Sequence, residues 1–338
     1  MTVKAARGVT LYSFQQAYYL REMSLEDCIA ACAGMGAYGI ETLAEQMMPG
    51  FPDLPESFYG QWQGWMERYG TRPTAHDMFL DIRRWKDRSL THEEMVASVR
   101  RDIDHAARLG CEVIRVIVIT PPEVIEDCIP YAAERRVKLA LEIHAPRHFD
   151  DEWIQRHYAT YRKYGPEWVG FTLDMGIFVE RFPRVIAERL VRDGASEQMV
   201  RFVVESYDAA AGGSGAPPDL RWLRAEVEGR GGNAQDLRAA DFAARMLWSD
   251  PARLRDFMPY IHHVHAKFYE MTDECVEYSI PYERVVPILL EGGFRGYLSS
   301  EYEGQRHIQD AFEVNEVEQV RRQQQLFRRL LGEATEER

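Results

Sequence analysis

At 338 residues, 46% hydrophobic, 12% aromatic and 28% charged, the chain has the composition of a folded globular protein with one large core, which excludes disordered and small disulfide-stapled classes. Its 41 Lys and Arg against 54 Asp and Glu leave a net charge of −13, a field that repels phosphate polyanions and argues against a nucleic-acid partner. The opening "MTVKAARGVTLYSF" lacks the apolar centre of a signal peptide, and no run of about 18 apolar residues occurs, so a cytoplasmic chain with no membrane partner is expected.

In chain order, a first strand is expected over 8–14 ("GVTLYSF"). A helix then opens at Ser24, where Asp27 three residues on makes a capping box, and closes at Gly34 and Gly36. Cys28 and Cys32 lie one helical turn apart in that helix and, with Cys111, Cys128 and Cys275, read as buried thiols rather than a redox or metal pair. Strands are expected over 38–44 ("YGIETLA") and 72–79 ("RPTAHDMF"), then a helix from Thr91 and Glu94 to Gly110. Strands over 111–118, 137–145, 168–176, 261–268 and 296–303 complete a set of eight alternating with helices. That pattern predicts an α/β fold, a single-domain (β/α)8 TIM barrel over 1–338, because no glycine-rich phosphate turn follows the first strand as an open dinucleotide-binding sheet would require.

About 85 residues separate the sixth strand from the seventh, where a βα unit uses roughly 30. A helical and loop insertion at approximately 193–240, on the catalytic face, is therefore expected. Helical stretches around 195–207 and 235–256 should flank the Gly/Ala/Pro-rich tip "DAAAGGSGAPPD" (208–219). It reads as a lid, a partner-docking element or a plain surface excursion.

The carboxyl ends of the last four strands carry Glu142 and His144, Asp174, His263 and His265, and Glu301 and Glu303. Side chains two apart share a face of a strand, so these groups converge. So many carboxylates buried together cost several kcal/mol unless a cation compensates them. A divalent metal held by Glu142, Asp174, His265 and Glu301 is the economical reading, with Mn²⁺ or Mg²⁺ favoured by the oxygen-rich set and Co²⁺, Zn²⁺ or Fe²⁺ compatible with it. His265 and Glu301 are preferred to His263 and Glu303 by their positions along the strands. His262, His263 and His76 fit hydrogen-bonded core histidines as well as they fit ligands.

The order Glu, Asp, His, Glu on strands five to eight, with "HVHAKF" and "GYLSSEYEG", resembles the xylose isomerase-like sugar phosphate isomerase/epimerase superfamily over nearly the whole chain. In that family these positions hold a divalent metal, and the two glutamates move protons beside a sugar carbonyl. The ketose 3-epimerases of the family place a His where this chain has Ile177 and an Arg where it has Met271, so their substrate contacts are missing. The stretches "GVTLYSFQ", "AEQMMPGFP" and "QWQGWMERYG", together with His144, Arg147, His148 and the long insertion, resemble the large (alpha) subunit of bacterial C-glycoside deglycosidases. That resemblance implies cleavage of a 3-oxo-glucosyl group from an aromatic aglycone and a smaller beta subunit in a hetero-oligomer.

The residues suit that chemistry, since a 3-ketone acidifies the C2 proton and lets an aryl group leave C1 by elimination. Glu142 or Glu301 would move the C2 proton, and His144, an imidazole and so able to take up or give a proton, would serve as acid/base or else orient Glu142. Tyr12, Phe14, His76, Arg147 and Arg306, at other strand ends, are expected to shape the substrate pocket. The rival readings are an isomerase, epimerase or inosose dehydratase acting on a free keto-sugar, and a non-catalytic binding barrel.

Overall fold

Eight apolar stretches become eight strands because each can bury one face in the lumen and the other against helices. In the computed structural model, which describes residues 5–211, 220–246, 248–308 and 311–333, these are β1 Ala6–Thr10, β2 Gly39–Thr42, β3 Arg72–Met78, β4 Val113–Val116, β5 Lys138–Ile143, β6 Val169–Asp174, β7 Ile261–Phe268 and β8 Tyr297–Tyr302. All pair in parallel in sequence order, and β8 pairs with β1, so the sheet closes into a barrel without edges. Residues 11–14, expected to extend the first strand, instead turn as a short 3-10 helix whose start is capped by the Thr10 side chain.

The helices start and stop where their end chemistry dictates. Ser24 N donates to Asp27 Oδ2 at 2.9 Å while Asp27 N donates back to Ser24 Oγ at 3.2 Å, and Thr91 and Glu94 repeat the box ahead of helix His92–Leu109. Gly110 ends that helix at φ +85°, a left-handed conformation that favours glycine. All five cysteines are buried and unpaired, and burial pushes the Cys28 thiol up to about 12.

Between β6 and β7 run helices Arg184–Arg192, Glu197–Ala210, Trp222–Gly229 and Ala234–Ala243. The helix expected to reach residue 256 therefore ends earlier. The chain returns to the barrel there, with Trp248 bridging Phe178, Ser249 N donating to Ile177 O at 2.8 Å, and Asp250 capping a new turn at Pro251. Residues 212–219 of the glycine-rich tip lie outside the described residues. Among the described residues no helix is long and apolar enough to cross a membrane.

The lumen has two layers. Ala75, Val113 and Ala140 form a small apolar cluster separate from the main core. Two residues further along the same strands stand Asp77, Arg115 and Glu142, all buried.

Candidate metal centre

Strand parity sets His263, His265 and Lys267 in phase along β7, facing the same lumen as Glu41 on β2, Glu142 on β5 and Glu301 on β8. Register reinforces this, with Asp174 beside His265 and Glu301 beside Lys267. Glu41 accepts from both imidazoles, at 2.9 Å from His263 Nε2 and 2.7 Å from His265 Nε2. The other nitrogen of His265, Nδ1, stands 2.9 Å from Glu142 Oε1 and 3.5 Å from Glu301 Oε1.

Among the described residues, two sets of potential ligands thus share His265: Glu41 with His263, and Glu142 with Glu301, each set having its ligand atoms within 4.8 Å of one another. In the first, both carboxylate oxygens already accept hydrogen bonds. In the second, Glu301 Oε2 is buried without a hydrogen-bond partner, 3.6 Å from Lys267 Nζ. A buried carboxylate oxygen left open beside a second carboxylate and an imidazole is a donor set suited to a divalent cation with oxygen and nitrogen ligands. Glu41 on Nε2 also fixes the ring so that Nδ1 faces the carboxylates, the usual support for a metal-binding histidine.

The fourth expected ligand is placed differently. Asp174 Oδ1 accepts from Gly176 N at 2.7 Å, and Oδ2 accepts from Lys267 Nζ at 2.7 Å. Asp174 is therefore joined to the Glu142–His265–Glu301 set through a buried lysine, whose Nζ is also 3.5 Å from Glu303 Oε1. Electrostatics follow from this layout. Burial pushes Glu301 up to about 8 against the pull of Lys267 and His265. Burial acts on Glu142 too, but Arg115 and the His265 hydrogen bond outweigh it and hold that carboxyl well below the usual range. Burial disfavours the Lys267 ammonium, yet Asp174, Glu301 and Glu303 together keep it charged.

Beside this layer lies a cavity of about 380 Å³ whose floor includes His144, Asp174, Lys267 and Glu303. His144 Nδ1 lies against the carbonyl oxygen of Ala145, which can only accept, so Nδ1 carries a hydrogen. In the neutral ring the lone pair is then on Nε2, 3.5 Å from Asp174 Oδ2. A larger groove of about 1150 Å³ runs between residues 16–23 and 312–317, and its walls carry carboxylates and apolar groups but no imidazole.

Of the expected pocket residues, Arg306 lines the cavity and donates to Tyr12 OH at 2.8 Å, so this pair belongs to the rim. Phe14, His76 and Arg147 are placed away from the residues that line this cavity. Phe14 is fully buried in the main core. His76 occupies the outer face of β3, because its neighbour Asp77 turns inward to Arg115, and it binds Thr42 Oγ1 at 3.0 Å and Asp102 Oδ1 at 3.1 Å. Arg147 pairs at the surface with Asp151. Sequence reasoning passed over Glu41, Arg115 and Lys267, although each stands in a strand in phase with the acidic positions.

Glu41→Gln is expected to weaken divalent-metal affinity by about 10–100-fold while the barrel stays folded, since an amide orients the imidazoles less firmly. Metal titration by calorimetry reads this directly, and unchanged affinity would separate Glu41 from the site.

Residues 29–330 match the family described as the xylose isomerase-like TIM barrel. The C-glycoside deglycosidase alpha subunit of Arthrobacter globiformis is 33% identical in an alignment that covers 93% of this chain and 89% of that protein. The 3'-dehydrocarminate deglycosidase alpha subunit of a Microbacterium species is 30% identical over 96% of this chain and 95% of that one. Among solved structures, a D-psicose 3-epimerase from Clostridium cellulolyticum H10 superposes with a TM-score of 0.58 at 12% identity, covering 97% of this chain and 100% of that chain.

Proposed function

Because the chain belongs to the xylose isomerase-like TIM barrel family, we propose that it is the catalytic subunit of a divalent-metal-dependent lyase, a C-glycoside deglycosidase acting on 3-oxo-glucosides of aromatic aglycones. The observation that carries this reading is the near full-length similarity to deglycosidase alpha subunits, at 30–33% identity. The ligand set is read as Glu142, His265 and Glu301, with Asp174 joining when Lys267 yields its oxygen, and Mn²⁺ as the ion that best suits it. The bound ion would stabilise negative charge developing at the sugar ketone.

The chain's own groups supply the proton transfers. Glu142 or Glu301 takes the C2 proton, and the electron pair released expels the aryl group from C1. His144 Nε2, facing the cavity floor, returns a proton to the leaving group or holds its phenol. Ile177 and Met271 are both buried, which supports the absence of an epimerase's polar substrate contacts there.

The test is aglycone release from a 3-oxo-C-glucoside by Mn²⁺-loaded protein, with and without a co-expressed smaller beta subunit. Turnover of a free keto-sugar without aglycone release would favour an isomerase or dehydratase instead. The relatives are named alpha subunits, which supports a hetero-oligomer. The connection between β6 and β7, or the rim beside it, is the proposed contact. Co-elution in size-exclusion chromatography supports the partner, and full activity of the chain alone refutes it. His144→Gln is expected to retain metal and to lose about 10²–10⁴-fold in turnover, because an amide hydrogen-bonds but does not shuttle protons. Unchanged turnover would reduce His144 to scaffolding.

A further inference from the structure

The cavity has two unlike ends. Its floor is the ionic layer around Asp174 and Lys267, whereas its outer wall comes from the helices Arg184–Arg192 and Ala234–Ala243 together with His307. That wall carries apolar surface from Ile186, Leu190 and Phe242, and the Phe242 and His307 rings meet edge-on with centroids 6.1 Å apart. It also carries guanidinium groups in excess of carboxylates. Arg189 Nε donates to Asp193 Oδ1 at 2.7 Å, while Arg238 Nη1 is 3.6 Å from Asp193 Oδ2, too far for a hydrogen bond. One carboxylate is thus shared by two arginines, both of which line the cavity. On a chain of net charge −13, a ligand-sized cavity with aromatic faces and spare cationic donors is a local inversion of sign.

We propose that this outer wall is a subsite for an aromatic ring bearing an anionic group, a carboxylate or phenolate, with the ring against Phe242 and His307 and its charge on Arg189 and Arg238. Its identification as the aglycone subsite rests on the deglycosidase reading, but its chemistry does not. A planar anion gains from both features at once, since guanidinium groups give strong charge-assisted hydrogen bonds to carboxylates and aromatic rings prefer edge-on partners. The three residues Arg189, Arg238 and Phe242 all belong to the β6–β7 connection, so the preference is built outside the barrel strands.

Calorimetric titration of the full chain with 4-hydroxybenzoate and with the neutral 4-hydroxybenzamide tests this at low ionic strength. The wild-type protein is expected to bind the acid roughly tenfold or more tightly than the amide, and Arg189→Gln with Arg238→Gln should abolish that preference. Arg238→Lys in the otherwise native chain should keep part of it, and matched thermal melts establish that the variants are folded. Equal binding of both probes by wild type, binding of neither, or a preference that survives the double substitution overturns the proposal. Aglycone release from a neutral aromatic 3-oxo-glucoside with no acid preference would leave the deglycosidase reading standing and this subsite refuted. The reverse result would refute only that reading.

Discussion

Glu301→Gln protein is expected to purify without stoichiometric metal and to turn over substrate at least about a hundredfold more slowly, yet its metal-free form should melt no lower than metal-free wild type. Loss of function would follow from removing a candidate ligand oxygen from the Glu142–His265–Glu301 set. The stability outcome follows from the same burial. Glu301 has an oxygen without a hydrogen-bond partner and a carboxyl pushed up to about 8, so burial disfavours its charged form and the metal-free lumen holds it mainly as the neutral acid near neutrality. An isosteric neutral amide stands in for that neutral acid beside Asp174 and Glu142 without opening a cavity. Metal analysis, turnover and differential scanning calorimetry in chelator make the test, and a variant that keeps its metal and activity would remove Glu301 from the site.

Lys267→Met should have the opposite effect on the metal-free protein, lowering its stability by about 3–5 kcal/mol. The ammonium is 2.7 Å from Asp174 and about equally close to Glu301 and Glu303, at 3.6 and 3.5 Å. Methionine fills much of the same space but leaves those carboxylates uncompensated in a buried layer. Added Mn²⁺ would restore part of the lost positive charge, so the metal-induced rise in melting temperature should be larger for the variant than for wild type. If the two proteins melt together in chelator, the lysine does not neutralise the layer.

The barrel was legible because each strand pairs a short apolar run with end signals, such as the Ser24–Asp27 and Thr91–Glu94 boxes, that depend only on neighbours in sequence. The convergence of Glu142, His265 and Glu301 in one buried layer was legible because side chains two apart share a strand face and all three stand near the carboxyl ends of their strands. The phase of β3 was not, since His76 and Asp77 are both polar and alternation alone does not say which one faces the lumen. Only the Asp77–Arg115 pair decides it. Lys267 escaped notice for a related reason. Neutralisation of the acidic strand ends was assigned wholly to a metal, whereas the chain carries two buried cations of its own there, Lys267 and Arg115.

Most of the outer wall of the cavity belongs to a connection that contributes no strand to the sheet, while the ionic layer is fixed in the register of strands β2 to β8. On the proposed reading, reaction type and ligand choice are thereby written in different parts of the chain. Drift in helices Arg184–Arg192 and Ala234–Ala243 can exchange one aromatic partner for another without shifting a strand by a residue. A lineage carrying this barrel can therefore diversify its diet one helix face at a time, and laboratory libraries aimed at new ligands are best confined to that same stretch.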